Sequence, residues 1–205
     1  LFNRILWLVL MMAAWQAAAV IGIFPDMVFP RMESIINALY LSIINGDILH
    51  QALYSIVLIS KGMIAGMAAA FALVFMSMVS RTFNSFMETV MAVAHPLPGI
   101  ALLPLIILWF GTGEGSIVVI IVHSVIWPMM LNLLSGFRAV PEIYKELGQN
   151  FGMNPLQIAI GIMIPSSLPY LFAGVRIGWS RAWRALISAE MIFGAIGGKG
   201  GLGWY

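Results

Sequence analysis

SIVVIIVHSVIWPMMLNLL, residues 116–134, contains no Asp, Glu, Lys or Arg. At 1.5 Å of rise per residue, about 20 apolar residues cross the hydrocarbon core of a bilayer as an α-helix. Inside that core each backbone N–H and C=O must be paired within the protein, so the stretch predicts a transmembrane helix. Four other stretches read the same way: about Ile5–Phe24, ending at Pro25; about Leu53–Val79, interrupted by Lys61; about Met91–Phe110, with Pro96, Pro98 and Pro104; and about Leu168–Ile192. Five spans place the chain in the all-α, polytopic transmembrane bundle class.

Composition agrees. The 205 residues are 61% hydrophobic and 9% charged, with a mean hydropathy of +0.99. A soluble domain carries about 25% charged residues to keep its surface wetted, so the solvent here is a lipid bilayer. A net charge of +2 without a basic run gives nothing for a phosphate backbone to bind, which excludes nucleic acid as a partner. The absence of cysteine excludes disulfides and thiolate metal sites. His50, His95 and His123 stand at no metal-binding spacing and read as pore-lining or interface residues.

Residues 29–51 place Ile35, Ile36, Leu39 and Ile43 three or four apart with polar residues between them, an amphipathic helix suited to a membrane surface. Gly111–Gly115 reads as a tight hairpin. Ser135–Pro165 is the one long polar loop. With the N-terminus inside, cytoplasmic segments hold Arg4, Arg81, Arg138 and Lys145, against Arg31 and Lys199 outside. That bias puts the polar loop in the cytoplasm. The opening segment is too long for a secretory signal and lacks a small-residue cleavage site. Leu1 and Tyr205 read as ends of a fragment, with a sixth span expected beyond Tyr205. Without repeats or linkers, residues 1–205 read as a single domain.

The polar loop carries a spaced pattern: Glu146-Leu147-Gly148, three residues, Gly152, nine residues, Ile162, one residue, Ile164-Pro165. It resembles the EAA signature of binding-protein-dependent ABC importer permeases (Glu-Ala-Ala, three, Gly, nine, Ile, one, Leu-Pro). Leu147 and Gly148 replace the alanines, and Ile164 the leucine. The segments from His95 to Gly111 and from Leu168 through Arg176, Arg181-Ala-Trp183 and Ala189-Glu190 to Gly201-Leu-Gly203 are similar to the nitrate, sulfonate and taurine branch of these permeases. His95 stands where an arginine is common, and the glycine run at 197–201 is longer than usual.

The resemblance implies a type I, MetI-like fold and a non-catalytic role. It implies a plasma (inner) membrane permease of a prokaryote that passes a small solute delivered by an extracytoplasmic substrate-binding protein. A second permease copy would complete the pathway, and an ABC ATPase dimer would bind the ATP and Mg. No cofactor is expected in this chain. The coupling residues it implies are Glu142, Glu146, Leu147, Gly148, Phe151, Gly152, Ile162 and Pro165. Pro141 and Glu142 suit a helix start. Leu147 and Phe151 share one face at i and i+4 for burial in a cleft of the ATPase, and Gly152 permits the turn after it.

Charged residues inside a span are costly and point to function. Arg176, Ser180, Arg184 and Ser188 form a stripe on the fifth span with Arg181 beside it, all within about 140° of the helix. With Glu190, Pro98 and Pro104 they are the candidates for a translocation pathway, in which the cations would assist an anion such as sulfonate, taurine or nitrate. Pairing of an arginine with Glu190 is the alternative role. The three prolines of the third span are expected to kink it. Gly62-Met-Ile-Ala-Gly66 permits close helix packing. A secondary transporter would show repeats or midplane carboxylates, and an intramembrane enzyme a nucleophile or metal pair; neither pattern is present. Gly198-Lys199-Gly200 lacks the Ser or Thr of a nucleotide loop.

Overall fold

The computed structural model describes residues 2–22, 25–194 and 200–204. Leu1, Phe24, the glycines and lysine at 197–199 and Tyr205 lie outside the described residues. So do the end of the first expected span, the outer cation Lys199 and most of the glycine run. The described elements are helical: α1 (Phe2–Ile21), α2 (Met32–Ile44), α3 (Asp47–Val79), α4 (Arg81–Ala94), a 3₁₀ turn (Gly99–Leu102), α5 (Leu103–Phe110), α6 (Glu114–Ala139), α7 (Glu142–Asn150), α8 (Pro155–Ile158), a π turn (Ala159–Met163), α9 (Ile164–Ser166) and α10 (Leu168–Phe193). The all-α polytopic class read from the sequence is what the chain adopts. Helices α1, α3 and α6 are each long and apolar enough to cross a membrane, and two bent helix pairs bring the number of candidate spans to five.

The chain divides into two compact units, Leu1–His50 and Gln51–Tyr205. In the first, the link between α1 and α2 is pinned by side chains of α1. Trp15 Nε1 donates to the Pro30 carbonyl at 3.1 Å, Gln16 Oε1 accepts from Met32 N at 3.0 Å, and the Trp15 ring stacks on Phe29. The amphipathic helix expected over 29–51 is shorter. It ends at Ile44, because Gly46 adopts φ +80°, a left-handed conformation that interrupts the helix, and residues from Asp47 onward begin α3.

In the second unit α6 is the central helix, with Ile117, Ile120, Ile121, Val125, Met129, Met130 and Leu133 buried. Glycines let its neighbours approach. A Cβ on Gly62 of α3 would lie 2.3 Å from Cγ2 and 2.6 Å from Cβ of Ile121, and one on Gly174 of α10 would meet Met129 Sδ at 3.0 Å. The Cβ of a branched residue cannot swing away, so Gly62→Ala is expected to overpack the α3–α6 contact by about 1–3 kcal/mol. Thermal unfolding in detergent checks this, with Gly115→Ala, which meets nothing within 4 Å, as the variant expected to melt unchanged.

The third span is broken rather than kinked. Helix α4 stops at Ala94, and the next helix runs at 93° to it. Pro96 and Pro98 remove two backbone donors, one on either side of Leu97, and disfavour helix in the residues before them. Pro98 is extended, and the chain restarts through the 3₁₀ turn. Pro104 falls in the first turn of α5, where the missing N–H has no partner to lose. The fifth span, α10, matches the expected 168–192. Ahead of it, 155–166 meets α10 at 66°. Pro165 cannot donate back along the helix, and the turn just before it is π-wound.

Candidate functional site

Helix α7 follows the extended Pro141 at the end of α6. Glu142 sits in its first turn, where the helix dipole favours a carboxylate, and accepts from Lys145 Nζ at 2.8 Å. Its far end is a Schellman motif. Met153 N donates to the Gly148 carbonyl at 3.0 Å and Gly152 N to the Gln149 carbonyl at 2.9 Å. Gly152 has φ +75°, which a side chain would strain.

Asn154 then starts α8 with a capping box: its side chain accepts from Gln157 N, and Gln157 Oε1 accepts from Asn154 N, both at 2.9 Å. The hairpin so formed lays α7 against the return segment. Gly148 is buried, and a Cβ there would lie 2.9 Å from Ile162 Cδ1 and 3.1 Å from Ile158 Cγ1. That contact is a physical reason for a small residue at 148 and an apolar one at 162.

An adjoining face of α7, about 60–140° round the helix from Gly148, is bare. Ile143 (63% exposed), Leu147 (50%) and Phe151 (78%) lie at i, i+4 and i+8, so three large apolar side chains share one exposed face. Glu146 is also exposed, and Pro165 sits at the bend into α10.

Twelve or so residues further along α10, Arg181 and Arg184 line a cleft of about 340 Å³ with Pro98 and Ser188. Across it α6 presents His123, Ser124 and Trp127, and the α4 break presents His95 and Pro96. Arg181 Nη1 donates to the His95 carbonyl at 3.5 Å, and Arg184 Nε to the Ser180 carbonyl at 3.2 Å. Two guanidinium groups face this space and no carboxylate lines it. Nearby, His123 Nδ1 and Trp127 Nε1 are buried without a hydrogen-bond partner among the described residues. Such a cleft suits a small anion, since a desolvated anion needs fixed donors and cations around it. Of the other sequence candidates, Arg176, Ser180 and Pro104 lie outside the cleft. His123, Ser124 and Trp127 were not singled out together, although their spacing of one and four places them on one helix face.

Glu190 also lies elsewhere, and it pairs with no arginine among the described residues. It is 2% exposed. Ser55 Oγ of α3 donates to it at 3.0 Å, and Gly203 N donates to its Oε2 at 2.8 Å. Ser55 Oγ in turn accepts from Leu202 N at 3.0 Å. The glycines make this contact possible: a Cβ on Gly201 would fall 1.8 Å from Glu190 Oε1, and one on Gly203 would fall 2.7 Å from the Ile187 carbonyl. Neither the pathway role nor the alternative arginine pairing describes its contacts among the described residues, which form a clasp of 201–203 onto α3 and α10.

The family model described as "binding-protein-dependent transport system inner membrane component" matches residues 62–204. A putative ABC transporter permease protein of Methanocaldococcus jannaschii is 32% identical over 195 residues, covering 93% of this chain and 73% of that protein. The putative aliphatic sulfonates transport permease protein of Escherichia coli is 25% identical, with 88% and 68% covered. The taurine transport system permease protein of the same organism is 30% identical over a shorter match of 56% and 42%.

Proposed function

The chain belongs to the family of binding-protein-dependent transport system inner membrane components, a multi-pass, non-catalytic permease subunit, and from that premise we propose how it couples to its partners and what it carries. Helix α7 is the part an ABC ATPase pair grips, and ATP and Mg reside on that partner. An extracytoplasmic binding protein delivers the solute, and a second permease copy completes the pathway. Both compact units form one permease domain with a cytoplasmic N-terminus. The basic residues Arg4, Arg81, Arg138 and Lys145 in the segments then cytoplasmic support that orientation.

One observation carries the coupling reading. Helix α7 exposes Ile143, Leu147 and Phe151 on one face while Gly148 keys an adjoining face to Ile158 and Ile162. Displacing α7 therefore pushes on the segment that bends into α10, and α10 carries Arg181 and Arg184 into the cleft. Glu146, exposed on the same helix, is available for a polar contact at the rim of that docking face.

The cargo is a small anion. Support comes from the arginine-lined, carboxylate-free cleft and from relatives named for nitrate, bicarbonate, taurine and aliphatic sulfonates.

Co-purification with the partner ATPase tests the docking. Leu147→Asp with Phe151→Asp places two charges where apolar surface would be buried, a penalty of several kcal/mol, and is expected to abolish the complex while helix content holds. Gly152→Val strains the turn by about 1–2 kcal/mol and is expected to weaken it. A complex that survives both with ATP hydrolysis still coupled would show that α7 is not the docking element.

A further inference from the structure

A second cleft lies beside the arginine-lined one. It has a volume of about 370 Å³ and runs between α4 and the C-terminal half of α6, past Leu131, Leu134 and Ser135 to Arg138. Arg138 is held there by Glu88 at 2.6 Å. The two clefts share two residues, His95 and Pro96. They are also aligned. His123 and Trp127 in one, and Leu131, Ser135 and Arg138 in the other, follow steps of three or four along α6 and so occupy one face. That face runs about 22 Å from 123 to 138, and the broken end of α4 crosses it midway.

We propose that His95 and Pro96 form a sill dividing one path along α6 into two clefts, and that Arg181 steadies the sill through the His95 carbonyl until an oxyanion takes the guanidinium. The backbone at the sill is thinly bonded: His95 N donates to the Met91 carbonyl and Leu97 N to the Ala94 carbonyl, while Pro96 and Pro98 have no N–H to donate. At 3.5 Å the Arg181 contact is long. A charge-assisted bond from guanidinium to an oxyanion closes to about 2.7–2.9 Å and is roughly twice as strong as a neutral one. An anion arriving beside Arg181 therefore outcompetes the carbonyl, and the sill is released when the cleft is loaded. This inference rests on reading the arginine-lined cleft as an anion site.

The chain has no cysteine, so single thiols report cleanly. In the ATPase complex in membrane vesicles, Ser135→Cys and Ser188→Cys sample the two clefts. A neutral and a cationic methanethiosulfonate, methyl and trimethylammonium-ethyl, neither of them an oxyanion, are applied from the side on which Ser135→Cys reacts. Ser188→Cys is expected to react about tenfold more slowly. Arg181→Gln is expected to raise its rate several-fold with both reagents, as a barrier does and a change of local charge does not, while Ser135→Cys is unaffected. Equal rates at the two thiols, or no response to Arg181→Gln, would overturn the sill. A nitroxide on Leu97→Cys tests the release. Nitrate, sulfate or methanesulfonate is expected to loosen it, and to have no further effect in Arg181→Gln. If Arg181→Gln frees the label and none of the three anions does, the release step and the anion reading fail while the sill stands.

Discussion

Replacing Gly201 by alanine is expected to detach 201–203 from α10 and lower the melting temperature by roughly 6–12 °C, the shift that about 3 kcal/mol produces in a chain of this size. The new Cβ would coincide with the Glu190 carboxyl. Neither partner has room to yield, since Glu190 is buried between Ser55 and Gly203 N. Backing off costs Glu190 its backbone donor and Leu202 N its acceptor on Ser55. An intramolecular hydrogen bond is worth about 0.5–1.5 kcal/mol, and a buried polar group left unpaired costs about 1–3 kcal/mol. Glu190→Ala should behave like Gly201→Ala. Thermal unfolding in detergent, together with limited proteolysis at 200–204, reads the effect. An unchanged melting curve for Gly201→Ala would mean that the clasp contributes nothing.

Reversing the charge of the cleft with Arg181→Glu and Arg184→Glu is expected to reduce uptake of labelled nitrate or an alkanesulfonate by about 100-fold or more. Arg181 is half-buried and Arg184 exposed, so the loss comes from removing two charge-assisted donors to the anion and from the repulsion of two new carboxylates. Uptake into proteoliposomes holding the complete transporter measures it. Arg176→Glu, one turn outside the cleft, should lower uptake far less. Retention of uptake by the double variant would remove the anion site from this cleft.

Much of this was legible in the sequence, and the reasons for the rest are physical. Span lengths follow from apolar runs, so α3 and α10 begin or end within a few residues of expectation. Gly62 and Gly66 pack where the small-residue spacing places them, because close approach needs only the absence of a Cβ. The third span was read as one kinked helix, since hydropathy does not distinguish a bend from a break. The two closely spaced prolines of His95–Pro98 were the signal for the break. The π turn at 159–163 has no sequence signature beyond Pro165. Glu190 reads from the sequence as a pathway candidate or an arginine partner because helical geometry reports which face a residue occupies, not its partners on distant segments. Ser55 is 135 residues away, and the only local hint was a lone carboxylate followed by glycines. The cleft is incomplete in the stripe for the same reason: half of it comes from α6 and the α4 break.

On the proposed coupling, the ATPase engages the bare apolar face of α7. In the cysteine-free chain, a photoreactive cross-linker on Phe151→Cys or Leu147→Cys should capture the ATPase in native membranes. One on Leu108→Cys, an exposed α5 residue near the hairpin at the other end of the spans, should not. Capture from α7 positions that shifts in yield when ATP is bound is the result the account requires. Cross-linking absent from both α7 positions, in a complex whose ATPase is captured elsewhere on the chain, would contradict it.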